Sequence, residues 1–212
     1  MSKKLFFIVA AAFLTLNSQQ ASAMSRGRPV PESYVEGDII FIQSQTQQAA
    51  ALREATESLW THVGILVKKN SQWHVAEAIG PLKTTPINDF INRSKNKAFK
   101  VYRYKHFDPA TMLKPLYAAL PKYNKPYDIY FEFSEERIYC SELTYHVFKD
   151  ITGFEMGRVQ KMKEMRLDGP YVQALIQKRL TDTGRELNPE EPIITPVSQM
   201  LDENMELIQS SN

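Results

Sequence analysis

Cysteine occurs once in the 212 residues, at Cys140. That count removes two routes to a stable fold, an intramolecular disulfide and a cysteine-rich zinc site. The chain has to be held by a buried apolar core, and its composition permits one: 43% of residues are hydrophobic and 24% charged, as in ordinary globular domains. Disorder, collagen-like repeats and coiled coils are poor descriptions of such a sequence. Twenty-six Lys plus Arg against 24 Asp plus Glu give a net charge of +2, too balanced to hold nucleic acid by charge, so no nucleic-acid partner is expected. The thiol itself is left as a buried spectator or a reactive nucleophile.

The N-terminus sets the context. Lys3 and Lys4 precede an apolar run from Leu5 to Leu16, and Ala21-Ser22-Ala23 follows with small residues, the layout of a secretory signal cut after Ala23. The run is shorter than the roughly 20 residues a membrane-spanning helix needs, and no cysteine follows it to carry a lipid anchor. Loss of Lys3 and Lys4 would leave 24 basic residues against 24 acidic ones. The expected product is a neutral domain over residues 24–212, periplasmic or secreted, with no transmembrane segment. An oxidising compartment gives a free thiol little reason to persist except chemistry or deep burial.

No Gly/Ser-rich linker, repeat or long charge run divides residues 24–212, so a single domain is expected. Residues 24–36, with Pro29 and Pro31, read as a lead-in. Gly37-Asp38 opens the apolar run Ile39–Ile42, a buried strand, and 45–59 is helical by propensity. Alternation in 62–67 places His62, Gly64 and Leu66 on one face, with Val63, Ile65 and Val67 on the other. After a turn at Asn70-Ser71, Trp73, Val75 and Glu77 share a face opposite His74, Ala76 and Ala78, so these two strands make a hairpin. A loop or short helix over 86–95 leads to a third strand, 99–104. Asp108-Pro109 starts a helix that Pro115 should kink or shorten. Residues 121–133 hold seven aromatic or proline residues, either a covering loop with buried rings or a ligand platform. A helix over 138–150 carries Leu143, Val147 and Ile151 on one stripe and stops at Gly153. Another runs near 171–180, and the tail is apolar enough at 193–194 and 205–208 to pack on the domain.

Cys140 stands at the start of the 138–150 helix, where unpaired N–H groups and the positive end of the helix dipole favour a thiolate. It needs a base. His146 lies six residues on, about 240° around the helix, and cannot turn back to the sulfur. His106 reads as a surface loop residue, and His74 points away from Glu77. His62 opens a strand beside Gly64, and the hairpin could set Glu77 next to it, as a base and its orienting acceptor require. The same residues also read as a satisfied strand-end histidine and a rim carboxylate. No metal site is expected, because no HExxH motif or Cys/His pair has ligand spacing, and no cofactor motif is present.

The blocks Gly37-Asp38-Ile39-Ile40-Phe41, Thr61-His62-Val63-Gly64-Ile65, Glu77, Lys125-Pro126-Tyr127-Asp128 and Arg137-Ile138-Tyr139-Cys140-Ser141-Glu142-Leu143 resemble those of the YiiX/YaeF-type permuted papain-like amidases, relatives of the NlpC cell-wall peptidases. The resemblance spans about residues 36–208, including Ile194-Thr195-Pro196. It implies an α+β fold, circularly permuted and papain-like, with an antiparallel sheet packed with helices. It also implies His62 as general base, Glu77 as its partner and Cys140 as nucleophile. The implied activity is amide or peptide hydrolysis through a thiol acyl-enzyme, with a small peptide or amide, cell-wall peptides included, as substrate. The backbone N–H of Cys140 would be one oxyanion donor, and Tyr127 or Tyr139 a candidate for the second. Lipid acyl hydrolysis or transfer, and ligand binding without turnover, are the alternatives.

Overall fold

The structure, a computed structural model, describes residues 33–211. The expected signal segment 1–23 and most of the lead-in 24–36 lie outside the described residues. An antiparallel sheet organises the rest. Its strands are β1 (Ile39–Ser44), β2 (His62–Lys69), β3 (Gln72–Ala78), β4 (Leu82–Pro86) and β5 (Ser94–Tyr104), closed by the C-terminal β8 (Met205–Ser210), in the order β4-β3-β2-β1-β5-β8. A short pair, β6 (Gln160–Lys161) and β7 (Pro192–Ile193), stands apart from it.

The hairpin forms in the expected register. Ile65 pairs with Ala76 and Leu66 with Val75, so continuing the ladder sets Gly64 opposite Glu77. Val63, Ile65, Val67, Ala76 and Ala78 enter the main core, and the alternate residues, His62 and Glu77 among them, take the other face of the sheet. Asn70 and Ser71 turn the chain with φ of 52° and 61°, the left-handed conformation that Asn tolerates well.

The helices are α1 (Gln47–Thr56), α2 (Ile87–Asn92), α3 (Pro109–Ala119), α4 (Cys140–Thr152), α5 (Pro170–Thr183) and α6 (Pro196–Met200). Thr46 caps α1 by accepting from the Ala49 N–H, and α1 ends at Thr56, short of the expected 59, because Glu57 turns left-handed. Asp108 caps α3 as expected, accepting from the Ala110 N–H. Pro115 does not end α3, which runs on to Ala119 before a 3-10 turn over Leu120–Tyr123. Leu143, Val147 and Phe148 anchor α4 with no exposed surface, each side chain contributing about 1.5–3 kcal/mol. Gly153 ends that helix at φ 76°.

Two strands depart from expectation. β5 begins at Ser94, five residues early, and bends through Asn96 and Lys97 at positive φ. β4 (Leu82–Pro86) is a strand that no expectation from sequence covered. The tail does more than pack: Met205–Ser210 forms an edge strand on β5.

Candidate active site

Cys140 is the first residue of α4, and sixteen residues of preceding loop, from Asn124 to Tyr139, bring the chain into that position. The helix start is pinned from several sides. The buried Glu142 carboxylate accepts from the Tyr139 N–H at 3.3 Å. The C-terminal segment completes the clamp: Ser141 Oγ donates to the Ile194 carbonyl at 2.9 Å, the Ile194 N–H donates to the Tyr139 hydroxyl at 3.1 Å, and Gln199 Nε2 donates to the Ser141 carbonyl at 2.9 Å. The first-turn N–H groups have no carbonyl of their own helix to bond. Cys140 itself is only 3% exposed.

The sheet supplies an imidazole. His62 Nε2 lies 2.7 Å from Glu77 Oε2, which leaves Nδ1 for the thiol, the other polar group His62 faces. Gly64 makes the pairing possible. A Cβ there would stand 2.3 Å from Val75 Cγ1 and 3.4 Å from Glu77 Cβ, so any side chain would displace the strand that carries the carboxylate. Burial by itself lowers the pKa of His62. The charge and hydrogen bond of Cys140, and then those of Glu77, outweigh that and push it up to about 9.

Glu77 is wholly buried and fully engaged. Thr85 Oγ1 donates to Oε1 at 2.6 Å, and Arg93 Nη2 donates to Oε1 at 2.7 Å and to Oε2 at 2.6 Å. Burial raises a carboxylate pKa, but His62, Arg93 and Thr85 together hold Glu77 below its ordinary value. Arg93 and Thr85 were not singled out from sequence. Thr85 sits in the unread strand β4, and Arg93 in the α2–β5 connection, where no local pattern marks it. The nearest signal was the buried carboxylate, which requires a cation or several donors.

The other histidines are elsewhere. His74 bonds the Gln72 carbonyl at 3.0 Å. His146 pairs with Glu142 at 3.4 Å and stacks on Tyr123. His106 is half-buried and stacked on Phe154 at 4.0 Å rather than a free surface residue.

Cys140 and His62 open onto a cavity of about 610 Å³. Two of the aromatic residues of 121–133, Tyr127 and Phe131, line it. Tyr123, Tyr130 and Phe133 are engaged with His146, Arg185 and Tyr139 instead, so both readings of this segment apply to different residues. Asp128 shapes it, accepting from the N–H groups of Tyr130 and Glu132 at 2.7 and 2.6 Å while Phe131 holds a left-handed φ of 61°. The Tyr139 hydroxyl accepts from the Ile194 N–H at 3.1 Å, within the clamp that holds the start of α4. The Tyr127 hydroxyl accepts from Gln48 Nε2 at 3.3 Å, keeping its own proton to donate; burial and the nearby Cys140 raise its pKa. Asp38 pairs with Arg103 at 2.8 Å and Gly37 lies against Phe107, so the Gly-Asp block ties the start of β1 to β5 and its exit and touches no reacting group.

Residues 33–208 match the family described as permuted papain-like amidase enzyme, YaeF/YiiX, C92 family. The chain belongs to this family. Among its relatives is the Uncharacterized protein YiiX of Escherichia coli (strain K12), 35% identical over 161 residues that cover 76% of this chain and 78% of the relative. A solved structure of YiiX from Escherichia coli O157:H7, described as a metalloprotein, superposes with a TM-score of 0.77 at 32% identity and covers 83% of this chain and 97% of that one. Along the chain His62 on β2 and Glu77 on β3 come before Cys140 on α4.

Proposed function

We propose that the protein is an exported cysteine amidase or peptidase that cleaves amide bonds, cell-wall peptides among them. Cys140 is the nucleophile, His62 the base and Glu77 the group that orients it. The observation that carries this reading is the buried line from Glu77 through His62 to the sulfur, set on the wall of a cavity. The Cys140 thiolate attacks the amide carbonyl, the His62 imidazolium protonates the departing amine, and the freed imidazole then draws a proton from the water that hydrolyses the thioester. The Cys140 backbone N–H and the Tyr127 hydroxyl are the proposed oxyanion donors, each removable at a cost of about 3 kcal/mol. Export rests on the segment 1–23, with cleavage after Ala23.

The metalloprotein description of the relative does not transfer to these residues. Among the described residues no three of His, Cys, Asp and Glu gather as a metal-binding group, and Arg93 already holds both Glu77 oxygens. No step is assigned to a metal.

Lipid acyl hydrolysis is the second reading. It is favoured by an apolar recess between α1 and α5 that meets the cavity at Leu52, Phe131 and Ile193. Amine release from a peptide-amide library tests the first reading: wild type turns over, and Cys140→Ala and His62→Ala each lose turnover. Equal turnover in both variants would overturn the mechanism. Fatty-acid release from phospholipid vesicles without any amide cleavage would replace the first reading by the second.

A further inference from the structure

Arg93 gives only part of its guanidinium to Glu77. Nη2 serves both carboxylate oxygens, whereas Nε is buried with no hydrogen-bond partner, and nothing among the described residues pairs with Nη1. The side chain is 38% exposed and lines the same cavity as Cys140 and His62. Its plane rests 5.1 Å over the Phe90 ring, and that ring lies 5.5 Å from His62, so the guanidinium is held at the base's side of the cavity. The charge of the lining is one-sided. No Asp, Glu or Lys is part of it, and Arg93 is its one permanent cation. Glu77, which balances that charge, lies behind the wall with no exposed surface.

A guanidinium anchored through one nitrogen and open through another is already oriented for a second acceptor, so little rotamer entropy is lost when one arrives. Charge-assisted N–H to carboxylate bonds are about twice as strong as neutral ones. A wall without carboxylates also places no repulsion in the way of an anionic substrate.

We propose that Arg93 receives a substrate carboxylate through Nη1, and that the site selects amides carrying a free carboxylate near the scissile bond, such as the C-terminal residue of a peptide. This rests on the reading of Cys140 as nucleophile. Arg93 then has two roles, positioning Glu77 and setting specificity, and the second is separable by experiment.

Iodoacetate and iodoacetamide alkylate a thiolate in the same way, forming the sulfur–carbon bond as iodide leaves, and differ only in carboxylate against carboxamide. Their rate constants at Cys140, read by intact mass, are compared in wild type, Arg93→Lys and Arg93→Gln. Loss of Glu77 positioning slows both reagents together. Loss of a carboxylate site lowers the ratio of iodoacetate to iodoacetamide, by at least about tenfold in Arg93→Gln, the equivalent of about 1.4 kcal/mol. Arg93→Lys, which keeps a charge without the planar fork, falls between. An unchanged ratio in both variants overturns the proposal. Should Arg93→Gln fail to fold, wild type decides through paired peptides: faster cleavage of the free acid than of its C-terminal carboxamide supports the proposal, and equal rates overturn it. If neither reagent labels Cys140, the nucleophile reading beneath it has failed, a result distinct from an unchanged ratio.

Discussion

Glu77→Gln isolates what the buried carboxylate does for His62. Three donors converge on Glu77, from His62, Arg93 and Thr85, and a glutamine offers them one acceptor oxygen in place of two, with an NH2 group that meets another donor. A hydrogen bond to a charged group is worth about 1.5–3 kcal/mol and a pKa unit about 1.36 kcal/mol, so His62 should drop by about one to two units. From about 9, that brings its titration close to neutrality. The guanidinium of Arg93, no longer neutralised, pushes in the same direction. The assay is the pH titration of the His62 ring protons by NMR, paired with the alkaline limb of the rate profile, which in the proposed mechanism marks loss of the His62 imidazolium. Both midpoints should move down together. Stability should fall by about 3–5 kcal/mol at neutral pH, as when one partner of a buried ion pair is removed. Because the folded pKa of Glu77 lies below 4.5, its contribution is complete above that value and lost as pH falls through the folded pKa. The stability gap between wild type and Glu77→Gln therefore closes in acid. An unchanged His62 midpoint in Glu77→Gln would refute the reasoning.

Other substitutions probe the supports. Gly64→Ala drives a Cβ to 2.3 Å from Val75 Cγ1 and 3.0 Å from the Ala76 carbonyl; thermal unfolding should show a loss of about 1–3 kcal/mol, together with a lowered His62 pKa. Tyr127→Phe should reduce kcat by about 10²-fold with little change in KM, the signature of a lost oxyanion donor. Gln199→Ala removes one of the two side-chain donors to the buried Ser141 carbonyl, leaving Thr144 Oγ1, and loosens the start of α4; denaturant unfolding should report a loss of about 0.5–1.5 kcal/mol, and Cys140 should alkylate more slowly.

The parts of the site that were legible are those set by local periodicity. Strand alternation with a glycine between them put His62 and Glu77 on one face, and the apolar stripe of α4 with its glycine stop put Cys140 at a helix start. What was hidden depends on partners distant in sequence. Leu82-Lys83-Thr84-Thr85-Pro86 is a polar edge strand, which alternation does not mark, so Thr85 went unseen. The front of β5 is Lys95-Asn96-Lys97, whose positive-φ bend at Asn96 and Lys97 disguises a strand as a turn. Arg93 acquires its role only when α2 folds over β3 and β5 and brings it to Glu77. Met205–Ser210 and Gln199 had apolar or ordinary composition, and their pairing spans about half the chain to β5 and about a quarter of it to α4. Seven ring and proline residues in 121–133 are indistinguishable by type, and only the fold separates Tyr127 and Phe131 at the cavity from those that pack elsewhere.

The central claim, that Cys140 carries the acyl group of a cleaved amide or activated ester, is tested most directly by intact mass spectrometry of the enzyme quenched in acid during turnover of a p-nitrophenyl ester. The expected result is a mass increase equal to one acyl group, mapped to Cys140, present in wild type, absent in Cys140→Ala and forming far more slowly in His62→Ala. Product release with no acyl adduct in wild type, or an adduct on another residue that survives in Cys140→Ala, would contradict the account.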